Sequence, residues 1–391
     1  MVQDHAAEAF SEEELFPMAR RSFRALTGAV VASTALMVGV AACGDDNSSS
    51  GSSTGTSGGD TSEITLKVAY VTTAQHPYGL SVAQFAKDVA AASDGRIKIV
   101  PQPSYPQAEV QLLSDVRGGS VDMATISTAV WDSAGINSFQ ALQAPFLVTD
   151  YGLDGKILEG DIGKAMAKDA SDQAGDITVL AIHEGGMRKP IGAKKPLNSL
   201  AAFKGAKIRA SQSKVMATGL RSLGAEADPI PLPEVYQALQ NGTFDGMEAN
   251  LGLVATNKYY EVAKYVTGNV NLWPFPTALT VNNGKFKALS EEDQKIITDA
   301  AAKMPAQSIE LFAAPSKLPQ QLVDCGMTFS TASPADLKAM QQKAQSAYAQ
   351  LSKDPTTGEF IKQIEDLKKA QPAGAAPPPL PTKKAAACAL G

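Results

Sequence analysis

The side chains that most often perform chemistry in proteins are scarce in this chain. Histidine occurs only at His5, His76 and His183. From Ile64 onward there is no HExxH, CxxC, GxSxG or GxxxxGK motif, so the spacings that hold zinc, activate a serine or bind a phosphate are missing. These observations argue against a hydrolase, a zinc protein and a nucleotide-binding enzyme. We therefore expect a protein that is not an enzyme and has no metal and no cofactor.

The composition is that of a globular protein. Hydrophobic residues make up 44% of the 391 positions and charged residues 19%, which is enough apolar material for a real core. At about 150 residues per domain, the length suits two lobes. The 35 lysines and arginines are outnumbered by 40 acidic residues, for a net charge of -5. No basic excess is available to bind nucleic acid.

Residues 1–42 are predicted to be an export signal. An arginine cluster at 20–24 precedes a mostly apolar stretch at 25–40, whose roughly 16 residues are too few to span a bilayer as a helix. A signal normally begins with its charged region, so the acidic segment 1–17 points to Met18 as the true start. Two routes stay open, the general secretory route and the twin-arginine route, which the adjacent arginines suggest.

The end of this stretch indicates a lipid anchor. Val40, Ala41, Ala42 and Cys43 resemble the bacterial lipobox, in which cleavage leaves the cysteine as a lipid-bearing N-terminus. The alternative is a small buried cysteine. Residues 43–62 then form a Gly/Ser-rich tether. We expect a lipoprotein carrying palmitate or a similar chain on the outer face of the cell membrane. Cleavage before Cys43 would remove five acidic and three basic residues. The mature chain would keep 35 acidic and 32 basic residues, a net charge of -3.

The two other cysteines, Cys325 and Cys388, form an even pair. In an exported protein such a pair is a candidate for a disulfide. The bridge would staple a Pro/Ala-rich tail, residues 371–391, to the body of the protein.

The body alternates β-rich runs with helical stretches, which predicts an α/β fold with mainly parallel sheets. The predicted strands are 64–71, 97–100, 121–126, 178–182, 207–210 and 225–230. Helices are predicted at 81–92, 109–117, 214–223 and 234–240, followed by an almost wholly helical region with helices at 291–303, 307–322, 334–352 and 360–369.

This pattern predicts two α/β lobes with a hinge and long bridging C-terminal helices. Lobe 1 is expected to comprise 63–185 and 275–314. Lobe 2 and the bracing helices are expected to comprise 186–274 and 315–370. An exported protein of this form without catalytic motifs suggests a solute receptor that closes around a small ligand.

The body also resembles a known family, the extracytoplasmic substrate-binding proteins of tripartite ATP-independent (TRAP) transporters. The resemblance covers about 64–369, and its most specific motif is EVYQALQNGTFDG, at 234–246. It rests on GAKIRASQSKVMATGLRSLGAEADPIPLPEVYQALQNGTFDGMEAN (205–250), KYYEVAKYVT (258–267), HPYGLSVAQFAKDVAAASDGRIKI (76–99), GGSVDMA (118–124) and APFLV (144–148).

The resemblance implies a two-lobed fold like that of periplasmic binding proteins (type II). It also implies a receptor that binds a small organic acid and passes it to a TRAP-type membrane permease. A receptor for an ATP-driven (ABC) importer is the alternative within the same class. An exported hydrolase and a structural lipoprotein are the alternatives from other classes.

The family motif assigns the carboxylate clamp to Arg209, in the KIR segment. A guanidinium pairs with a carboxylate through two parallel hydrogen bonds and stays charged when buried. Arg188, in GGMRKP, matches a second arginine of the family. Its alternative role is a surface charge at the hinge.

The family often places a ligand-binding asparagine after the DG pair, but here Ala249 stands at that position and Asn250 follows it. Glu248 is expected to orient an arginine. On physical grounds, further ligand contacts are expected where strands end or where the chain crosses between lobes, with lobe packing or helix capping as the alternative for each. These residues are Ser127, Thr128, Trp131, Trp273, Phe275 and His76.

Overall fold

The structure, a computed structural model, describes residues 62–314, 316–371 and 380–390. All of these residues belong to one compact unit, which begins at Gly59. The predicted export signal, its lipidation site Cys43 and all but the last residue of the tether lie outside the described residues. No helix in the described ranges is long and apolar enough to cross a lipid bilayer.

Strands and helices alternate through the first two thirds of the described chain. The strands are β1 (Ile64–Ala69), β2 (Ile97–Gln102), β3 (Met123–Ser127), β4 (Ile177–His183), β5 (Lys189–Gly192), β6 (Lys207–Ala210), β7 (Glu226–Pro229), β8 (Gly246–Ala249), β9 (Tyr265–Thr267), β10 (Thr277–Asn282) and β11 (Thr328–Ser330). The α-helices are α1 (Pro77–Ala92), α2 (Glu109–Arg117), α3 (Tyr151–Glu159), α4 (Asp161–Ala174), α5 (Leu200–Phe203), α6 (Lys214–Ser222), α7 (Val235–Gln240), α8 (Leu251–Thr256), α9 (Asn283–Lys287), α10 (Glu291–Ala301), α11 (Met304–Ala313), α12 (Leu318–Asp324), α13 (Pro334–Leu351) and α14 (Pro355–Lys369).

The strands form two sheets, one in each lobe. The sheet of lobe 1 has the order β2-β1-β3-β10-β4, and that of lobe 2 has the order β11-β9-β5-β8-β6-β7. The α/β fold is as predicted. The described sheets are mixed, with five parallel and four antiparallel pairs of neighbouring strands. β10 runs antiparallel to both of its neighbours, and so does β5. Each is the strand by which the chain enters a sheet after crossing from the other lobe, so it starts at the edge where the other strands end.

Helix α1 shows how the sequence produces these elements. His76 caps it, because its Nδ1 accepts the Tyr78 N–H at 3.2 Å, and Pro77 stands in the first turn, where no N–H is needed. Val82, Phe85 and Val89, at helical spacing, are buried against the sheet of lobe 1. The cap therefore fixes the start of α1 after the loop that follows β1.

The C-terminal helices connect the two lobes, with one difference from prediction. The expected continuous helix 307–322 is instead two helices, α11 and α12, and the second begins with Pro319 in its first turn. Proline cannot donate the backbone hydrogen bond that a helix interior requires, so the chain restarts there.

The segment 315–370 is shared between the lobes. Helix α13 buries Met340 and Ala344 in the core of lobe 2, whereas α14 buries Phe360 and Ile364 in the core of lobe 1. Within this segment of lobe 2 and bracing helices, α13 and α14 therefore pack against different cores.

The described end of the tail lies on lobe 2. The Sγ atoms of Cys325 and Cys388 are joined in the structure. Asp324 accepts the backbone N–H groups of Ala385 and Ala386 at 2.7 and 3.2 Å, and the Tyr260 hydroxyl donates to the Leu390 carbonyl at 2.9 Å. These contacts hold the tail on the surface around α12.

Candidate ligand-binding site

The ends of several strands meet where the chain crosses between lobes. In lobe 2 the parallel strands β6 and β8 end at the same edge at which antiparallel β5 begins. The same arrangement occurs in lobe 1, where β1 and β3 end and β10 begins. The crossovers 184–188 and 268–276 join these two edges. Polar side chains at strand ends are therefore gathered into one pocket, as is usual for α/β proteins.

Three of the predicted residues form a buried charged network on the lobe 2 wall. Arg188, which precedes β5, donates from Nε to Glu248 Oε2 and from Nη2 to the Glu248 carbonyl at 2.8 Å. Glu248 Oε1 also accepts the Ser211 N–H at 3.1 Å and lies 3.8 Å from Arg209 Nη1. Arg188, Arg209 and Glu248 are 1%, 3% and 0% exposed. Two guanidinium groups share one carboxylate, so this wall keeps a positive charge.

Arg209 is held so that part of its guanidinium remains available. Nη2 donates to the Ile230 carbonyl at 2.8 Å and Nη1 donates to Ser211 Oγ at 3.3 Å. Nε has no hydrogen-bond partner among the described residues. Burial lowers the pKa of Arg209, and the Glu248 carboxylate opposes that shift. An anionic ligand would satisfy this group, because a buried donor without a partner is costly.

The crossover segments supply further contacts. The Arg188 guanidinium lies over the Phe275 ring, with Cζ 4.2 Å from its centroid. Asn250 Nδ2 donates to the Gly185 carbonyl at 2.8 Å, and Oδ1 accepts the Leu253 N–H at 2.7 Å and lies 3.4 Å from His76 Nε2. Burial lowers the pKa of His76 to about 3, so its imidazole is neutral. Asn250 and His76 therefore line the pocket and also cap helices.

Glycine is required at the first crossover. A Cβ on Gly185 would collide with the Phe275 carbonyl and the Tyr78 ring, and Gly186 has a φ of +109°.

Beside this segment, Asp154 is fully buried and has no cation partner among the described residues. Burial, followed by the nearby Glu184 carboxylate, raises the pKa of Asp154 well above its ordinary value. The Asp154 carboxyl group therefore keeps its proton to a higher pH than an exposed aspartate does.

The pocket between the walls has an empty volume of about 500 Å³, including open solvent. Arg188, Arg209, Asn250, Phe275 and His76 line it, and Glu248 lies directly behind the arginines. The structure thus brings together six of the predicted residues.

Four predicted residues do not line this pocket. Trp131 packs edge-on against Phe139 in the core of lobe 1, and Trp273 packs in the core of lobe 2. The Thr128 hydroxyl donates to the Pro276 carbonyl at 2.9 Å, and the Ser127 hydroxyl accepts the Ala129 N–H at 3.2 Å. These four side chains are therefore held by contacts within the protein and are not part of the pocket lining.

The sequence reasoning missed the polar part of the lobe 1 wall. Glu109 lines the pocket, and its Oε1 accepts the Ser127 N–H at 2.9 Å. Burial raises the pKa of Glu109 to about 7. Thr72 also lines the pocket, and its hydroxyl has no partner among the described residues. The position of Glu109, at the first turn of a helix that follows a strand, is the signal that could have found it.

No cluster of three or more His, Cys, Asp or Glu side chains suited to a metal ion occurs in the described part of the chain. The site is instead a pocket of arginines, hydrogen-bonding groups and apolar side chains.

Comparison with known families decides the relationship. The family described as bacterial extracellular solute-binding protein, family 7 (DctP), matches residues 68–354. The chain belongs to this family. Its members are extracytoplasmic solute-binding proteins of TRAP transporters.

Individual relatives agree with this assignment. The family 7 chain is 30% identical over 205 residues to the C4-dicarboxylate-binding periplasmic protein of Rhodobacter capsulatus, covering 52% of this chain and 61% of that protein. A TRAP solute-binding protein from Polaromonas, solved with D-erythronate, has a TM-score of 0.70 at 26% identity and covers 78% and 98% of the two chains. The sugar acid binding protein of Advenella mimigardefordensis, solved with galactonate, has a TM-score of 0.71 at 26% identity and covers 80% and 100%. These matches confirm the two-lobed fold.

Proposed function

We propose that this family 7 protein binds a small organic acid in the pocket between its lobes, with Arg209 as the carboxylate clamp and Arg188 as the second cation. The observation that carries the proposal is the buried pair of arginines that share the single carboxylate of Glu248. An incoming carboxylate completes the charge balance and offers an acceptor to Arg209 Nε. A neutral solute of the same shape would leave the excess positive charge uncompensated and would not supply a charged acceptor to Arg209 Nε.

The remaining predicted residues support the same proposal. Phe275 and Arg188 form a stacked wall against which the ligand skeleton packs. Asn250 and His76 stand at the helix starts on either side of the crossover and fix its geometry. The relatives' names describe binding proteins, and the acids named for them are C4-dicarboxylates, D-erythronate and galactonate.

Isothermal titration calorimetry with matched acids and polyols tests the clamp. D-Erythronate and erythritol differ only in a carboxylate against a hydroxymethyl group, and D-galactonate and galactitol form a second pair. Wild-type protein should bind one of the acids and neither polyol. Arg209→Met should weaken acid binding by about a hundredfold or more, because a buried charged hydrogen-bonding partner is lost.

The variant keeps its aliphatic stem, and Glu248 keeps Arg188 as its partner, so folding is expected. Arg221→Met, which removes a half-exposed arginine of lobe 2, is the matched control. Equal acid binding by the Arg209→Met and wild-type proteins would contradict the clamp assignment.

We also propose that the bound acid passes to a TRAP-type permease and that Cys43 anchors the receptor to the membrane. A permease deletion should abolish uptake of the bound acid while leaving its binding intact. Labelled palmitate should enter the wild-type protein and not Cys43→Ala, which should be released from the membrane. Uptake without that permease would favour an ATP-driven importer.

The bond between Cys325 and Cys388 is proposed for the exported protein in the same way. Intact mass measured with and without reductant should differ by two hydrogens, and Cys388→Ser should abolish the difference. An unchanged mass on reduction of wild-type protein would refute the bridge.

A further inference from the structure

The two walls of the pocket present opposite chemistry. The lobe 2 wall offers donors, because Arg209 Nε has no partner among the described residues and two arginines share one carboxylate there. The lobe 1 wall offers Glu109 and the unpartnered Thr72 hydroxyl. A ligand that fits both walls carries a carboxylate at one end and a hydrogen-bond donor at the other.

Glu109 is the group that makes the lobe 1 wall selective. Its Oε1 is occupied by the Ser127 N–H, which fixes the carboxyl group in place. No salt bridge joins Glu109 to a lysine, arginine or histidine within the described ranges. Arg188 and Arg209 act on Glu109 from the lobe 2 wall without forming a salt bridge to it. A carboxylate on the wall opposite the arginines would repel a second carboxylate of the ligand and attract a hydroxyl.

We propose that Glu109, together with Thr72, receives a hydroxyl group at the far end of the ligand, so that the pocket selects hydroxylated monocarboxylates and rejects dicarboxylates. This inference rests on the proposed function and specifies the ligand class of the same site.

The titration of Glu109 predicts that the selectivity of the pocket depends on pH. The charged and titratable groups around the pocket are Arg188, Arg209, Glu248, Tyr78 and His76. Burial lowers the pKa of His76 to about 3 and raises that of Tyr78 far above neutrality, whereas Glu109 has a pKa of about 7. Glu109 is therefore a pocket group whose charge changes near neutral pH. Rejection of a dicarboxylate should weaken as the pH falls below 7 and strengthen above it.

Two matched pairs of acids test the inference by isothermal titration calorimetry. D-Erythronate and meso-tartrate share one skeleton and differ only in the last carbon, a hydroxymethyl group against a carboxylate. D-Galactonate and galactarate are the same comparison in a six-carbon chain. The proteins are wild type, Glu109→Gln and the control Glu159→Gln, which removes an exposed acid of lobe 1.

Wild-type protein should bind the monoacid of the fitting pair about ten- to a hundredfold more tightly than the diacid near pH 8, as a charge-assisted contact implies. Glu109→Gln should reduce that ratio at least about tenfold and remove its pH dependence, because the amide can donate to a carboxylate. The control should behave like wild type, and circular dichroism should show that all three proteins are folded.

Equal or tighter diacid binding by wild type overturns the inference, and so does an unchanged ratio in Glu109→Gln. In both cases acid binding itself persists, so the proposed function survives. Failure of the folded wild-type protein to bind any of the four acids overturns the proposed function as well.

Discussion

The two walls of the pocket are built on different principles. On the lobe 2 side, Arg188 and Glu248 are almost completely buried and joined by hydrogen bonds, and Arg209 lies beside them. On the lobe 1 side, Glu109 and Thr72 have few internal partners. One wall is therefore part of the folded framework, whereas the other is left free for the ligand.

This difference separates affinity from selectivity. A preorganised charged network needs no rearrangement when an anion arrives, so it supplies binding energy to any carboxylate. Groups without internal partners contribute only when a ligand matches them, so they discriminate between ligands. Changes in the lobe 2 wall should alter both folding and binding, whereas changes in the lobe 1 wall should alter binding alone.

The largest effect is expected from Glu248→Ala. Removing the carboxylate leaves two buried guanidinium groups without their shared counter-ion, which should lower the free energy of unfolding by about 3 to 5 kcal/mol. Urea denaturation measures this loss. Glu226→Ala, at an exposed position of the same sheet, is the control and should change stability by less than about 0.5 kcal/mol. A similar small loss in Glu248→Ala would mean that the network does not support the fold.

Asp154→Asn sharpens the comparison, because Asp154 is a buried acid without a cation partner in the described part of the chain, and its pKa is raised. The folded-state pKa is raised, so the native state holds the proton more tightly than the unfolded chain, and stability falls as the pH rises above about 4. Asparagine removes this dependence and should gain about 1 to 3 kcal/mol relative to wild type near pH 8. Thermal denaturation across pH 5 to 8, roughly the range in which folded proteins are most stable, measures the difference. If the melting temperatures of the two proteins changed with pH in the same way, a raised pKa of Asp154 would be refuted.

Arg188→Lys is expected to have an intermediate effect. Lysine keeps the charge but loses the planar group that stacks on Phe275 and bonds the Glu248 carbonyl. Stability should fall by about 1 to 2 kcal/mol, and acid affinity should fall with it. Denaturation and calorimetry on the same samples, with Arg221→Lys as control, measure both quantities. Loss of affinity at unchanged stability would place Arg188 outside the framework.

Thr72→Val should have the smallest effect on folding. The hydroxyl has no partner to lose, so the free energy of unfolding should change by less than about 1 kcal/mol. Affinity for a hydroxylated acid should fall several-fold, as calorimetry can measure. A clear loss of stability without a change in affinity would remove Thr72 from the binding wall.

The sequence predicts the lobe 2 wall better than the lobe 1 wall, for a physical reason. Arg209 and Glu248 stand in motifs whose spacing follows regular strands and helices. Glu109 resembles the first residue of an ordinary amphipathic helix, and its position against Ser127 depends on packing that no local pattern encodes. Trp131 and Trp273 pack in the two cores, and the sequence could not distinguish this from a pocket position because an aromatic residue near a strand end suits both.

The fold was also partly predictable. Helix α2 and strand β6 have the expected bounds, since alternation and glycine stops mark them clearly. Strands β5, β8 and β9, with three or four residues each, are too short to show a period of two. Their antiparallel or parallel direction depends on the crossovers between lobes, which local sequence does not reveal.

A crystal structure of the wild-type protein with its tightest-binding aldonate would test the central claim most directly. The account predicts that the ligand carboxylate pairs with Arg209 on the lobe 2 wall while the terminal hydroxyl donates to Glu109 on the lobe 1 wall. A ligand bound in the reverse orientation, with its carboxylate away from both arginines, would contradict it.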